Sequence, residues 1–140
     1  MIYLDSCAAI KLLVAEPESA ALVDWLSGRE SEVVMSSGLL RVELHRALHR
    51  IGAAADVVKQ ADQLLDGLHL RPIDAVLRDA ARLDGQHLRS LDAIHLATAL
   101  SSASAPTFVT YDTKLARHAH QAGLRVAAPG APTAALPSEG

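Results

Sequence analysis

Short β-rich runs alternate with helical stretches along almost the whole chain, and this alternation limits the fold more than any other feature. Ile2-Tyr3-Leu4, Val33-Val34-Met35, residues 68–73, residues 107–110 and Leu124-Arg125-Val126 are too brief for helices and suit a pleated surface. Helix-boundary signals and helical spacing fill the segments between them. Such an order argues for an α/β domain built on a parallel sheet.

The helices are predicted from their caps and stops. Ser6 is placed to cap a helix over 7–14 that stops near Glu16-Pro17, and a second runs over 19–26 to Ser27-Gly28. Ser36 and Ser37 are capping candidates for the next, where Leu40, Leu44, Ala47, Leu48 and Ile51 form one apolar stripe that Gly52 ends. Residues 54–65 follow, closing at Gly67. The strand over 68–73 carries Pro72, which suits a sheet edge. Asp74 is expected to cap a helix reaching Gly85, Ser90 to start one over 90–100, and 113–122 to form the last before Gly123. One domain over 1–127 is expected, with a disordered tail over 128–140 where Pro, Ala and Gly accumulate.

Bulk properties exclude several classes. A chain of 140 residues, half of them hydrophobic, buries a real core as one domain. No apolar stretch is long enough to span a bilayer, and no basic region precedes an apolar one at the start, so no membrane or secretory role is expected. Cys7 is the single cysteine, which fits a reducing, cytoplasmic setting. With a net charge of −3 the chain advertises no broad nucleic-acid-coating surface, and Tyr3, Trp25, Phe108 and Tyr111 are too few for a base-stacking platform.

The chemistry is concentrated in Asp5, Glu43, Asp92 and Asp112. Asp5 ends the first apolar run and Asp112 follows Phe108-Val109-Thr110-Tyr111. On neighbouring parallel strands both lie on one rim, where ligands of open α/β sheets bind. Each has a plain alternative reading as a helix cap. Glu43 sits on the flank of its stripe, where a solvated charge beside Arg46 and Arg50 is the ordinary outcome. Asp92 is harder to explain away, because Leu91-Asp92-Ala93-Ile94-His95-Leu96-Ala97-Thr98-Ala99-Leu100 reads as a buried helix. An ionised acid there costs several kcal/mol unless paired, against roughly 0.3–1 kcal/mol from the helix dipole. Clustered carboxylates repel, so gathering these acids makes sense around a cation.

Ile2-Tyr3-Leu4-Asp5-Ser6, Arg41-Val42-Glu43-Leu44, Ser90-Leu91-Asp92-Ala93-Ile94-His95-Leu96-Ala97-Thr98-Ala99 and Val109-Thr110-Tyr111-Asp112 occur in the order found in PIN-domain ribonucleases. The chain resembles that family through about Val126, and within it the VapC-type toxins of bacterial toxin–antitoxin pairs. The resemblance implies a three-layer α/β/α fold with a parallel sheet of about five strands. It implies a Mg²⁺ or Mn²⁺ site formed by Asp5, Glu43, Asp92 and Asp112, with a Thr110 oxygen helping to hold the fourth acid or a metal-bound water and Ser6 close by. It also implies hydrolysis of RNA, inhibition by a cognate antitoxin lying over the site, and a homodimer or toxin–antitoxin hetero-oligomer. Helices near Leu12, Leu13, Leu22 and Trp25 are candidates for the partner groove, with plain core packing as the alternative reading, and Arg41, Arg46, Arg50 and Lys114 are candidates for phosphate contacts, with ordinary solvated helix charges as theirs.

Competing readings are weaker. Histidine-driven cleavage needs an acid and a base imidazole on one phosphate, and His45, His49, His95, His118 and His120 are not so arranged by spacing. Cys7 lacks a placed partner for a nucleophile's role. A receiver domain needs an acid after Val33-Val34-Met35, where Ser36 stands, and a dehalogenase-like phosphatase needs one where Cys7 stands. The non-enzyme alternative is a catalytically silent PIN-like module that binds a protein partner while its acids cap helices.

Overall fold

The apolar opening of the chain becomes the centre of a sheet. In the computed structural model, which describes residues 1–132, β1 (Ile2–Leu4) pairs in parallel with both β2 (Val34–Ser37) and β4 (Thr107–Val109). The edge strands β3 (His69–Arg71) and β5 (Arg125–Ala127) complete five parallel strands in the order β3-β2-β1-β4-β5. Alternation along a strand sends Ile2 and Leu4 to one face and Tyr3 to the other. Helices α1 (Ser6–Ile10) and α2 (Ser19–Ser27) cover the first face through Ala8 and Leu22. On the second, Tyr3, Met35 and Phe108 pack against Leu96 and Ala99 of α6 (Ser90–Leu100) and Leu115 and Ala119 of α7 (Thr113–Gln121). The result is the expected three-layer α/β/α architecture.

The remaining helices brace one side. Leu40 and Leu44 of α3 (Leu39–Arg50) meet Ala9 of α1 and Leu65 of α4 (Ala55–Gly67). Leu40, Leu44 and Leu48 of the expected stripe are buried, but Ile51 lies beyond the helix and is 60% exposed. Gly52 takes a φ of +62° there, a conformation open to glycine, and so turns the chain. Among the described residues no helix is long and apolar enough to cross a membrane.

Several boundaries differ from expectation. The first helix stops at Ile10 rather than 14, because Ser19 Oγ donates to Val14 O and accepts from Glu16 N–H, holding the chain in turns ahead of α2. Ser36 and Ser37 belong to β2 and Gly38 stands at the N-cap position: Ser36 Oγ donates to Leu4 O across the sheet, whereas Ser37 Oγ accepts the Leu39 N–H at 3.1 Å and so does serve the first turn of the helix. The helix expected from Asp74 is only α5 (Leu77–Ala81), since Val76 and Ala80 dock on Ala93 and Ala97 while Leu83 and Leu88 turn inward on either side of Gly85. Of the expected tail over 128–140, the first residues are packed against the domain. Ala128 is buried and Tyr111 Oη donates to Pro129 O, while residues 133–140 lie outside the described part.

Candidate active site

Sheet order places the site. Connections run from β1 outward to β2 and β3, then back to β4 and β5, so a crevice opens at the carboxyl ends of β1 and β4. Asp5 and Thr110 stand there as the residues following each strand. The Asp5 N–H still donates to Val109 O at 3.1 Å, so Asp5 keeps the strand's alternation and shares Tyr3's face. Asp5 occupies the N-cap position of α1, yet its side chain makes no capping bond. Its Oδ2 instead accepts from Thr110 Oγ1 at 2.8 Å and Cys7 Sγ at 3.1 Å, in a position only 3% exposed. That excludes the cap reading for Asp5.

Thr110 ties two acids together. Its hydroxyl donates to the Asp5 carboxylate and accepts the Asp112 N–H at 3.1 Å, so it touches the fourth acid through the backbone and the first through the side chain. Asp112 is exposed and caps α7, with Oδ1 accepting from Lys114 N–H at 2.9 Å and Leu115 N–H at 3.1 Å. Cys7 also accepts the Tyr111 N–H, and burial followed by the charge of Asp5 pushes its thiol up to about 12. A thiol so held is not a nucleophile near neutral pH.

Asp92 lies in the first turn of α6 and is half-buried rather than enclosed, since the helix enters the core only from Ala93 onward. Its carboxyl is nevertheless held above the usual range, first by burial and then by the negative charges of Asp5 and Asp112, with Glu43 adding to them. Three residues later, on the same helix face, His95 is fully buried. Its Nδ1 meets Tyr3 Oη at 2.7 Å, and its Nε2 meets Glu43 Oε1 at 2.5 Å and lies 3.9 Å from Asp5 Oδ1. Burial alone would push His95 down; the Glu43 hydrogen bond and the charges of Asp5, Glu43 and Asp92 outweigh it and hold the imidazole above its ordinary value.

The four acids thus meet at one rim but are not gathered into a closed set. Among the described residues no three of His, Cys, Asp and Glu stand together as metal ligands do. The donor set is nonetheless all hard oxygen, which suits Mg²⁺ or Mn²⁺. Among the described residues no Lys or Arg pairs with any of the four; His95 alone lies within ion-pair reach, of Asp5 and Glu43.

Two clefts hold the other three acids. One, of about 250 Å³, is lined by Asp92 and Asp112 with Arg89, Lys114 and His118. The other, of about 600 Å³, holds Glu43 and Ser6 among Ile10, Leu39, Val42 and Leu91, with Arg46 and Arg50 at its border. Val42 and Leu91 are 59% and 50% exposed, whereas Leu22 is fully buried and Leu12, Leu13 and Trp25 pack into the core. Exposed apolar side chains thus lie beside Glu43, and α2 also presents one, Val23, at 51% exposure. Two residues escaped the sequence reading as parts of the site: Arg89, which carries no motif, and His95, weighed there only for histidine-driven cleavage.

The PIN domain family model matches residues 2–121. Ribonuclease VapC35 of Mycobacterium tuberculosis is 43% identical over 134 residues, covering 93% of this chain and 98% of its own length. Ribonuclease VapC47 of the same species is 42% identical over 135 residues, covering 94% and 98%. Ribonuclease VapC46 is 42% identical over 130 residues, covering 91% and 97%.

Proposed function

The chain belongs to the PIN-domain family, and on that premise we propose that it is a metal-dependent endoribonuclease, the toxin of a toxin–antitoxin pair that inhibits translation and growth. The observation that carries this reading is the arrival of four acids, from four distant parts of the chain, at one sheet rim where Asp92 carries the repulsion of the others. Asp5, Asp92 and Asp112 would hold one Mg²⁺ or Mn²⁺, and Glu43 would serve a second when a substrate phosphate adds oxygens. Such a cation, when bound, supplies Lewis acidity that activates water and neutralises charge on the phosphodiester.

The chain's own residues set up that chemistry. Thr110 fixes the orientation of Asp5, and the shielded rim keeps its carboxylate from being fully hydrated. Arg89 and Lys114 border the Asp92–Asp112 cleft, where RNA phosphates would pass. Glu43's apolar cleft supports inhibition by an antitoxin segment laid across it, with Arg46 and Arg50 offering charge contacts at its edge. Homodimers or toxin–antitoxin hetero-oligomers, acting in the cytoplasm, complete the proposal. A silent binding module is not favoured. That reading makes the acids helix caps, yet of the four Asp112 alone caps with its side chain, while Asp5 makes no capping bond and Glu43 and Asp92 do not stand at N-cap positions.

The test is cleavage-site mapping on total RNA with wild-type protein, Asp92→Asn and Glu43→Gln, in Mg²⁺ or in EDTA. Wild type should cut only with Mg²⁺, leaving 5′-phosphate and 3′-hydroxyl ends, and both variants should be inactive. Full activity of Asp92→Asn, or cutting that survives EDTA, would overturn the proposal.

A further inference from the structure

We propose that His95 is a positioning residue for the site, holding the Glu43 carboxylate toward Asp5 through an Nε2–H bond anchored in the sheet core by Tyr3. The inference rests on the reading of Glu43 as a metal-site acid. Glu43 reaches the rim from α3, on a side chain with three rotatable bonds that would otherwise sweep the open cleft beside Val42. Its carboxylate meets an imidazole that cannot move. His95 is fully buried, packs edge-on against the Tyr3 ring with centroids 5.8 Å apart, and Tyr3 itself stacks on Phe108 at 5.0 Å. Tyr3 Oη and Glu43 Oε1 engage both ring nitrogens, at 2.7 Å and 2.5 Å, so the ring's rotation is settled as well.

Proton placement follows from the partners. A carboxylate only accepts hydrogen bonds, so Nε2 carries a hydrogen whether His95 is neutral or charged. In the neutral ring Nδ1 takes the Tyr3 O–H, and burial keeps that phenol protonated. In the charged ring Nδ1 donates to Tyr3 Oη instead. Glu43 is held in either case. A histidine that served the core alone would be satisfied by any acceptor at Nε2. Here the acceptor is a site acid, and Asp5 Oδ1 lies 3.9 Å from the same nitrogen. Residues that orient ligands in this way typically change metal affinity or activity by about 10- to 100-fold when lost.

The probe is Mn²⁺ alone, titrated into the full chain and followed by electron paramagnetic resonance, with RNA cleavage measured in parallel. Glu43→Gln sets the reference. His95→Phe keeps a ring but has no donor, and should weaken the Glu43-dependent Mn²⁺ binding by about 10- to 100-fold. It should lower kcat with little change in KM, and add nothing in the Glu43→Gln background. His95→Gln restores an N–H at comparable reach and should recover most of both. A folded His95→Phe protein that binds Mn²⁺ and cleaves RNA as wild type does would overturn the proposal. So would equal losses from Gln and Phe that simply add to Glu43→Gln. If His95→Phe does not fold, Tyr3→Phe decides: it keeps the stacked ring and removes only the hydroxyl, so it should give a smaller loss in the same direction, and wild-type behaviour refutes the anchor. Wild-type protein that binds no Mn²⁺, or Glu43→Gln that binds it unchanged, removes the nuclease reading of Glu43 and this inference with it.

Discussion

Asp5 and Glu43 on one side of the site, and Asp92 and Asp112 on the other, carry the same charge in different surroundings. The first two are only 5% and 20% exposed in their side chains, and each is met by protein donors: Thr110 and Cys7 at Asp5, His95 at Glu43. Asp112 is exposed, its Oδ1 used by backbone N–H groups of α7, and no hydrogen bond enters the balance at Asp92. Burying a carboxylate is tolerable when protein donors replace water, and the inner acids meet that condition. The uncompensated repulsion collects on Asp92. One side of the candidate site is therefore built in advance, while the other would be completed, in the proposed nuclease, by an arriving cation or substrate.

The largest effect that tests this contrast is the loss of either kind of acid. Asp5→Asn and Asp112→Ser should each lower RNA cleavage by more than about a hundredfold, a loss beyond roughly 2.7 kcal/mol of transition-state stabilisation. Their stabilities should separate them from Asp112→Ala. Serine retains an oxygen to cap α7 and should leave thermal unfolding nearly unchanged, whereas alanine removes the cap at a cost of about 1 kcal/mol. If Asp112→Ser proves fully active, the outer acid is a cap and nothing more.

A smaller effect probes the built side. Thr110→Val strips the hydroxyl that donates to Asp5 and accepts from the Asp112 backbone. Leaving those buried groups short of a partner should cost about 1–3 kcal/mol of stability. Cleavage should fall about tenfold, as expected for a group that orients a ligand. Denaturant unfolding and initial rates measure the two separately. An unaltered rate would mean that Asp5 needs no help in holding its orientation.

What the sequence disclosed follows the same division. Asp5 and Asp112 were legible because an acid after a brief apolar run marks the rim of a parallel sheet, and β1 and β4 do pair as neighbours. Asp92 stood out through its apolar helix, although its position in the first turn leaves it only half-buried. The partners of the acids were not legible, because they depend on which elements cross. A histidine among buried residues must find hydrogen-bond partners, and that much was available from the α6 pattern. That one of them is Glu43, 52 positions away, depends on how α3 passes the end of β1, which no local spacing encodes. Helix α5 was misread for the same reason: its docking on Ala93 and Ala97, not its own propensity, decides where it stops.

The smallest effect reads the repulsion directly. In EDTA, the Asp92 carboxyl of the folded protein sits above its usual range, through burial first and then the charges of Asp5 and Asp112. A carboxyl whose folded pKa lies above the unfolded one favours folding while protonated, and that contribution disappears as pH rises through the folded value. Asp92→Asn, which cannot ionise, should therefore melt close to wild type near pH 3. It should gain on wild type by a few degrees as pH climbs through and past the carboxylate range. His95 acts in a separate window. Its raised value gives wild type a contribution that is full below about pH 6.5 and fades as pH rises through the folded value, and Asp92→Asn, which removes one of the charges that raise it, loses part of that contribution. Adding Mn²⁺ should reverse the ranking, stabilising wild type and sparing the variant, because the charge that was a burden becomes a ligand. A melting difference that stays flat from pH 3 to 8, and is indifferent to Mn²⁺, would mean that Asp92 feels neither its neighbours nor a cation, and the division between a built and an unfinished side would be lost.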